Sequence, residues 1–104
     1  MLVSGDLINL KYSLHRNGDF DILFGYRGVT CSLIFKNGTL TVLSAEKKLL
    51  CVKCDYNFIT GVGLLVKLED VYVTSEERVI NFLLLTSFED NFIKAMNLGS
   101  GCKE

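Results

Sequence analysis

Two Asn-Gly pairs, Asn17-Gly18 and Asn37-Gly38, constrain the fold of this chain more than any other local feature. Asn and Gly accept the positive φ angles of the tight turns that join antiparallel strands. The residues on either side of both pairs alternate between apolar and polar side chains, a pattern typical of strands with one buried face. The two pairs therefore predict two β-hairpins within an antiparallel sheet.

The same alternation, interrupted at turn residues, predicts seven strands in all. The chain has no proline, so none of these segments is excluded from the interior of a sheet. The predicted strands are residues 7–15, 19–26, 29–36, 39–44, 48–54, 62–73 and 79–85. A length of 104 residues is usual for one domain, and no repeat or linker divides the sequence. We therefore expect a single domain spanning residues 1–104.

The last predicted element is a helix over residues 87–98. Ser87 is a favourable N-cap residue, and two acidic residues follow in the first turn. Phe88, Phe92 and Ala95 recur at the spacing of one helical face. We expect this stripe, and Phe92 above all, to face the core.

The segment before that helix allows a second interpretation. Thr74 and Glu77 have the spacing of a capping box, which is typical of a helix start. We expect a mainly β fold with one C-terminal helix. The alternative is an α+β fold with two C-terminal helices, residues 75–86 and 87–98.

Residues 65–98, LVKLEDVYVTSEERVINFLLLTSFEDNFIKAMNL, carry a resemblance to a known family. Closing strands, a short polar turn and a final helix, after several hairpin-linked strands, resemble the pleckstrin-homology-like superfold. The resemblance implies a seven-stranded antiparallel bent barrel or sandwich with the helix plugging one end. A tryptophan often anchors that helix in the family, and Phe92 occupies the comparable position here. The fold hosts many unrelated functions, so the resemblance implies a scaffold rather than an activity.

The charge of the chain argues against polyanionic partners. Eleven Lys and Arg stand against twelve Asp and Glu, which gives a formal net charge of −1. Members of the family that bind phosphoinositides concentrate basic residues in the first hairpin. Here Lys11, Arg16 and Arg27 are interspersed with Asp19 and Asp21. We therefore expect no strong binding of nucleic acid, because non-specific binding depends on excess positive charge.

Two binding functions nevertheless stay open as alternatives. One is recognition of a phosphoinositide or other lipid headgroup. The other is nucleic-acid binding on a small β-barrel, which needs exposed aromatic residues among basic ones. Tyr26-Arg27 and Tyr56 are the residues that favour it.

The cysteines and the histidine predict neither a metal site nor a cofactor. Cys51 and Cys54 form a C-x-x-C pair, but residues three apart on a strand point to opposite faces. Cys31 and Cys102 stand alone, and His15 is the single histidine. Zinc would need four convergent ligands. We expect buried thiols and no bound metal.

Catalysis is also not expected, because the acidic pairs lie side by side in sequence and His15 lies beside a hairpin turn. Four cysteines are too few for a disulfide scaffold, and no apolar run is long enough to span a membrane. We therefore expect an intracellular protein, cytoplasmic or nuclear.

Apolar side chains at positions that should face solvent are the main functional signal. If residues 79–85 form a strand, the inward face carries Ile80, Phe82 and Leu84. The outward face, which a solvated strand would make polar, then carries Val79, Leu83 and Leu85. Several aliphatic residues elsewhere are similarly out of register with the inward set of their strands. The predicted partner-binding residues are Val79, Leu83, Leu85, Leu43 and Leu49, and Leu23, Ile34 and Leu65 share the pattern.

An apolar strand face of this kind predicts contact with another protein or with a second copy of the chain. The alternative is that a helix or loop covers these positions, or that one strand is misassigned. The sequence thus predicts a non-enzymatic protein–protein interaction module or a small subunit of an intracellular assembly.

Overall fold

The computed structural model describes the backbone of residues 1–100 and the side chains of residues 1–97, and the fold is mainly β. Five strands in chain order form one antiparallel sheet: β1 Ile8–Leu14, β2 Phe20–Tyr26, β3 Val29–Lys36, β4 Thr39–Ser44 and β5 Lys47–Lys53. The remaining elements are α1 Tyr56–Gly61, β6 Val66–Leu68, β7 Val71–Val73, α2 Glu76–Leu85 and α3 Phe88–Ser100. Among the described residues, strands β6 and β7 pair only with each other.

Two-residue turns connect β2 to β3 and β3 to β4. Arg27-Gly28 and Asn37-Gly38 both have two consecutive positive φ angles, which matches the twist of the flanking strands. The hairpin predicted at Asn37-Gly38 is confirmed, with Lys36 opposite Thr39. At Asn17-Gly18 the strands are joined by a longer loop, in which Gly18 alone of the pair has a positive φ, of 93°.

Every second side chain of the three central strands is buried against the helices. These inward residues are Phe20, Ile22, Phe24, Tyr26, Cys31, Leu33, Phe35, Leu40, Val42 and Ser44. At one end, the ring centroid of Phe88 from α3 lies 5.4 Å from that of Tyr26. At the other end, the ring of Tyr56 from α1 lies 5.6 Å from that of Phe35. The core therefore fills the space between one face of the sheet and the helical layer.

The strand predicted over residues 79–85 is wrong, because this segment is helix α2. The Ser75 side chain accepts a hydrogen bond from the backbone N–H of Arg78 at 3.3 Å, which caps the helix start. The buried residues of α2 recur at the three- and four-residue spacing of one helical face: Val79, Ile80, Phe82 and Leu83. The alternative with two C-terminal helices, residues 75–86 and 87–98, matches the observed α2 and α3.

The single strand predicted over residues 62–73 is also wrong. Its second half folds into the β6–β7 hairpin, and buried Leu64 and Leu65 precede it. Helix α1 lies just before, capped by the Asp55 carboxylate, which accepts from the N–H of Phe58 at 3.1 Å.

The predicted seven-stranded barrel is therefore not formed. Among residues 1–100 the five-stranded sheet is open and the two-stranded sheet is separate. The resemblance to the pleckstrin-homology-like superfold stays a prediction.

Phe92 is a core residue, as predicted for the inward stripe of the last helix. It is 4% exposed, and its ring centroid lies 4.8 Å from that of Tyr26. We expect Phe92→Ala to lower the free energy of unfolding by about 3–5 kcal/mol, because it leaves a cavity between α3 and the sheet. The neighbouring Ile93 is 39% exposed on the same helix, and Ile93→Ala is the matched control. Equal losses for the two variants in denaturant titrations would contradict this packing.

A second aromatic cluster ties β1 to β7 and α1. The hydroxyl of Tyr12 donates to the carbonyl oxygen of Tyr72 at 3.3 Å, and Tyr56 and Tyr72 have ring centroids 4.7 Å apart. Burial, with the nearby Tyr56, raises the pKa of Tyr12 from its ordinary 10.0 to about 12. Burial also raises the pKa of Tyr26 and of Tyr56.

These raised pKa values make stability sensitive to alkali. Between pH 10 and about pH 12 the folded protein holds the Tyr12 proton while the unfolded chain releases it. We therefore expect the free energy of unfolding to fall over this window, and to fall less steeply in Tyr12→Phe. Denaturant titrations of both proteins at several alkaline pH values measure the difference. Identical pH profiles would show that the Tyr12 phenol is not shielded.

Candidate interaction surface

The side of the five-stranded sheet opposite the helices presents the second side-chain set of each strand. Because directly paired residues share a face, the strand register defines two rows of this surface that cross all five strands, and Ile8, Gly25 and Thr30 form a shorter row at one end. One row is Lys11, Leu23, Ser32, Leu43 and Lys48; the other is Ser13, Asp21, Ile34, Thr41 and Cys51. We call these ten residues, with Lys36, Thr39 and Lys53 at one end, the outer face.

The middle of the outer face is aliphatic. Leu23, Ile34 and Leu43 lie on the three central strands, and Ser32 separates Leu23 from Leu43 in one row. Leu23 is 43% exposed, and Ile34 and Leu43 are half-buried among their sheet neighbours. The aromatic contacts of α1 and α3 with the sheet all fall on its other side. The outer face therefore exposes an aliphatic stripe, defined as Leu23, Ile34 and Leu43.

Lysines lie on three sides of this stripe. Lys11 and Lys48 end one row at opposite edges of the sheet, and Lys36 and Lys53 lie at the end near Thr39. These four residues, all exposed, form the lysine rim. The outer face is thus positively charged on a chain whose formal net charge is −1. The rest of the sequence therefore carries a net negative charge.

One acidic residue and one lysine of the strands complete this charge pattern. Asp21 is the single acidic residue in the five strands, and its carboxylate lies 3.2 Å from Nε2 of His15. Lys47 turns to the helical side, where its Nζ donates to the carbonyl oxygen of Ala95 at 3.0 Å. The positive charge of the outer face is therefore opposed only weakly.

The structure does not bring the five predicted partner-binding residues together. Val79 and Leu83 are each 0% exposed in the core, so their predicted exposure is wrong. The error follows from assigning a strand, whose alternation places them outside, to a segment that is helical. Leu85 is 65% exposed at the end of α2, on the helical layer. Leu49 lies at the irregularity where the β4–β5 register shifts and packs partly against the core.

Leu43 alone of the five lies on the outer face, beside Leu23 and Ile34, which have the same out-of-register pattern in the sequence. Leu65, the last residue with that pattern, is 1% exposed and belongs to the core. Sequence reasoning did not identify the lysine rim. Its signal was the position of each lysine on the polar side of its strand.

The cysteines differ sharply in accessibility, and the prediction of buried thiols is wrong for Cys51. Cys51 is exposed on the outer face, Cys54 is half-buried and Cys31 is buried on the inner side of the sheet. Burial raises the pKa of the Cys31 thiol and, together with the negative charge of Asp55, that of Cys54. In the described part of the chain, no three His, Cys, Asp or Glu side chains cluster as a metal site requires. Cys102 lies outside the described residues.

Comparison of the chain with models of protein families, with curated proteins and with solved structures finds no match. Among residues 1–100, no helix combines the length and the apolar character needed to cross a bilayer.

Thiol reactivity tests which side of the sheet faces solvent. In a Cys102→Ser background we expect maleimide to label Cys51 first, Cys54 more slowly and Cys31 only on unfolding. Reactivity follows exposure and the thiolate fraction, and both are reduced for Cys31. Peptide mass spectrometry over a time course gives the order. Labelling of Cys31 before Cys51 in the folded protein would reverse the assignment of the two faces.

Proposed function

We propose that this protein is a non-enzymatic interaction module whose outer face binds a partner protein with an acidic surface. The observation that carries the proposal is the aliphatic stripe, set inside the lysine rim on the side of the sheet away from the helices. A solvated sheet face commonly carries polar residues at such central positions. Leu23, Ile34 and Leu43 instead offer apolar area that a partner removes from water.

The two parts of the outer face have different roles in binding. Burial of the aliphatic stripe supplies the favourable part of the binding free energy, from which the entropic cost of association is subtracted. The lysine rim attracts acidic surfaces and orients them, which affects the association rate and specificity more than affinity. A partner should therefore present an apolar patch bordered by Asp or Glu.

The size of the surface favours a reversible contact. Five strands at about 4.8 Å spacing and seven residues at about 3.3 Å rise give a face of roughly 500 Å². Stable interfaces bury about 800 Å² on each partner. The outer face alone thus suits a weak or transient complex, which favours an interaction module over an obligate subunit.

Charge favours a different protein over a second copy. Two copies meeting through their outer faces would place two lysine rims opposite each other, and like charges across an interface are unfavourable. An acidic partner instead neutralises Lys11, Lys36, Lys48 and Lys53. Self-association through this face is the competing outcome that the experiment must separate.

The arrangement of the lysines also disfavours the two other binding functions. Lys11 and Lys48 are on opposite edges of the sheet, about 19 Å apart at four strand spacings, so the four lysines do not all converge on one lipid headgroup. The two rows of the outer face contain no aromatic side chain, whereas single-stranded nucleic acid is usually held by stacking.

The decisive variant places a charge in the centre of the aliphatic stripe. We expect Ile34→Glu to lower the free energy of unfolding by about 1–2 kcal/mol, because the side chain faces outward but is half-buried among its sheet neighbours. Binding of an acidic partner should weaken at least about tenfold. The matched control is Ile93→Glu, at a 39% exposed position on α3. Quantitative mass spectrometry of proteins captured by the wild type and both variants identifies partners that Ile34→Glu alone loses.

Three further measurements make the result specific. Lys48→Glu should weaken the same complex, because it removes one rim charge and adds the opposite one. Labelling of Cys51 should slow when the purified partner is added. Light scattering of the isolated protein should show a monomer. Partners retained equally by folded Ile34→Glu, or a dimer in which Cys51 is protected, would rule out the proposed heterotypic contact.

A further inference from the structure

A cleft of about 340 Å³ lies at one end of the sheet, away from the aliphatic stripe. It lies where the β1–β2 loop meets α1 and β7. Its lining residues are Leu14, His15, Arg16, Gly18, Tyr56 and Tyr72. This volume is at the lower end of the range for small-molecule sites, which are typically apolar with a few placed polar groups.

Hydrogen bonds hold the walls of the cleft in place. The Tyr56 hydroxyl donates to the carbonyl oxygen of Gly18 at 2.7 Å, which joins α1 to the β1–β2 loop. The Tyr12 hydroxyl donates to the carbonyl oxygen of Tyr72, which joins β1 to β7. Because the Tyr56 hydroxyl is engaged in this way, its ring lines the cleft as a largely apolar wall. The cleft is therefore preformed.

One cation lining the cleft has no partner. Arg16 makes no hydrogen bond or ion pair with any described residue. The nearby acids are engaged elsewhere: Asp21 lies 3.2 Å from His15. Asp19 accepts from the side chain of Asn17 at 3.1 Å and from the N–H of Asn37 at 3.4 Å. The guanidinium of Arg16 is thus free to bind an anion.

We propose that this cleft binds a small carboxylate that carries an aromatic or branched aliphatic group. The apolar group packs on Leu14 and the ring of Tyr72, and the carboxylate accepts two hydrogen bonds from the fork of Arg16. Burial, the neighbouring Tyr72 and the negative charge of Asp19 raise the pKa of Tyr56 in the cleft wall. With that charge nearby, a single guanidinium suits a carboxylate better than a phosphate dianion. Lys67, whose ammonium lies 5.7 Å from the Tyr72 ring centroid, does not line the cleft.

Two sources share this chemistry: a free organic acid and the C-terminal residue of a polypeptide. The probes are N-acetyl-L-phenylalanine, its primary amide and 3-phenylpropionate, each added to the ¹⁵N-labelled wild-type protein. We expect the carboxylate of N-acetyl-L-phenylalanine to shift the amide resonances of residues 14–18, 56 and 72 at low-millimolar concentration. The amide, which has the same apolar group without the charge, should bind about tenfold more weakly or not at all.

The third probe distinguishes the sources. If 3-phenylpropionate binds as tightly as the acetylated amino acid, the ligand is assigned as a free organic acid. A clear preference for the acetylated amino acid assigns a chain terminus. Equal binding of acid and amide, absence of shifts with both acids, or shifts confined to other parts of the protein would overturn the proposal.

Variants localise the contact. Arg16→Gln should weaken binding of the acid about tenfold and leave the weak binding of the amide unchanged. Lys94→Gln, which removes an exposed lysine from α3, is the matched control and should leave both affinities unchanged. Because Arg16 is exposed on a loop, Arg16→Gln should fold like the wild type. If the Arg16→Gln variant and the wild type bind the acid with equal affinity, Arg16 does not contact the carboxylate and the proposal is wrong.

Discussion

Aromatic packing at the two ends of the sheet determines which side of it faces solvent. Tyr26 lies between Phe88 and Phe92 at one end, and Phe20 and Phe35 pack against Tyr56 at the other. Side chains on a strand alternate, so burial of these rings forces the intervening residues outward. The aliphatic stripe faces outward because the aromatic rings face the core. A shift of the strand register by one residue would place the stripe in the core and the rings in solvent.

The same constraint explains which parts of the fold could be predicted from sequence. Strands 29–36 and 39–44 were predicted with the observed bounds, because strict alternation and the Asn37-Gly38 turn agree there. Helix α2 is predicted only as the alternative, because its consecutive apolar residues fit either a strand or a buried helix. The caps that distinguish the two are short-range signals, and Ser75 rather than Thr74 is the residue that caps α2. Helix α1 is a six-residue helix, too short to show a helical repeat.

The interaction surface was predictable only in part, for a related reason. Leu43 is correctly predicted to face outward because residues 39–44 do form a strand. Val79 and Leu83 are wrongly predicted to face outward because their segment is a helix, in which both are buried. The lysine rim was missed because net charge averages over the whole chain. A chain with a formal charge of −1 still presents a positive surface where a sheet sorts Lys11 and Lys48 onto one side.

The contact between His15 and Asp21 connects the two proposed binding surfaces. Asp21 is on the outer face and His15 lines the cleft, and their side chains meet at 3.2 Å. Asp21 is the single acidic residue in the five strands, so one carboxylate opposes the four lysines of the rim. The same carboxylate contacts His15 and makes no ion pair with Arg16. A charge change at Asp21 would therefore alter the electrostatics of both surfaces, at the point where β1 leaves the sheet.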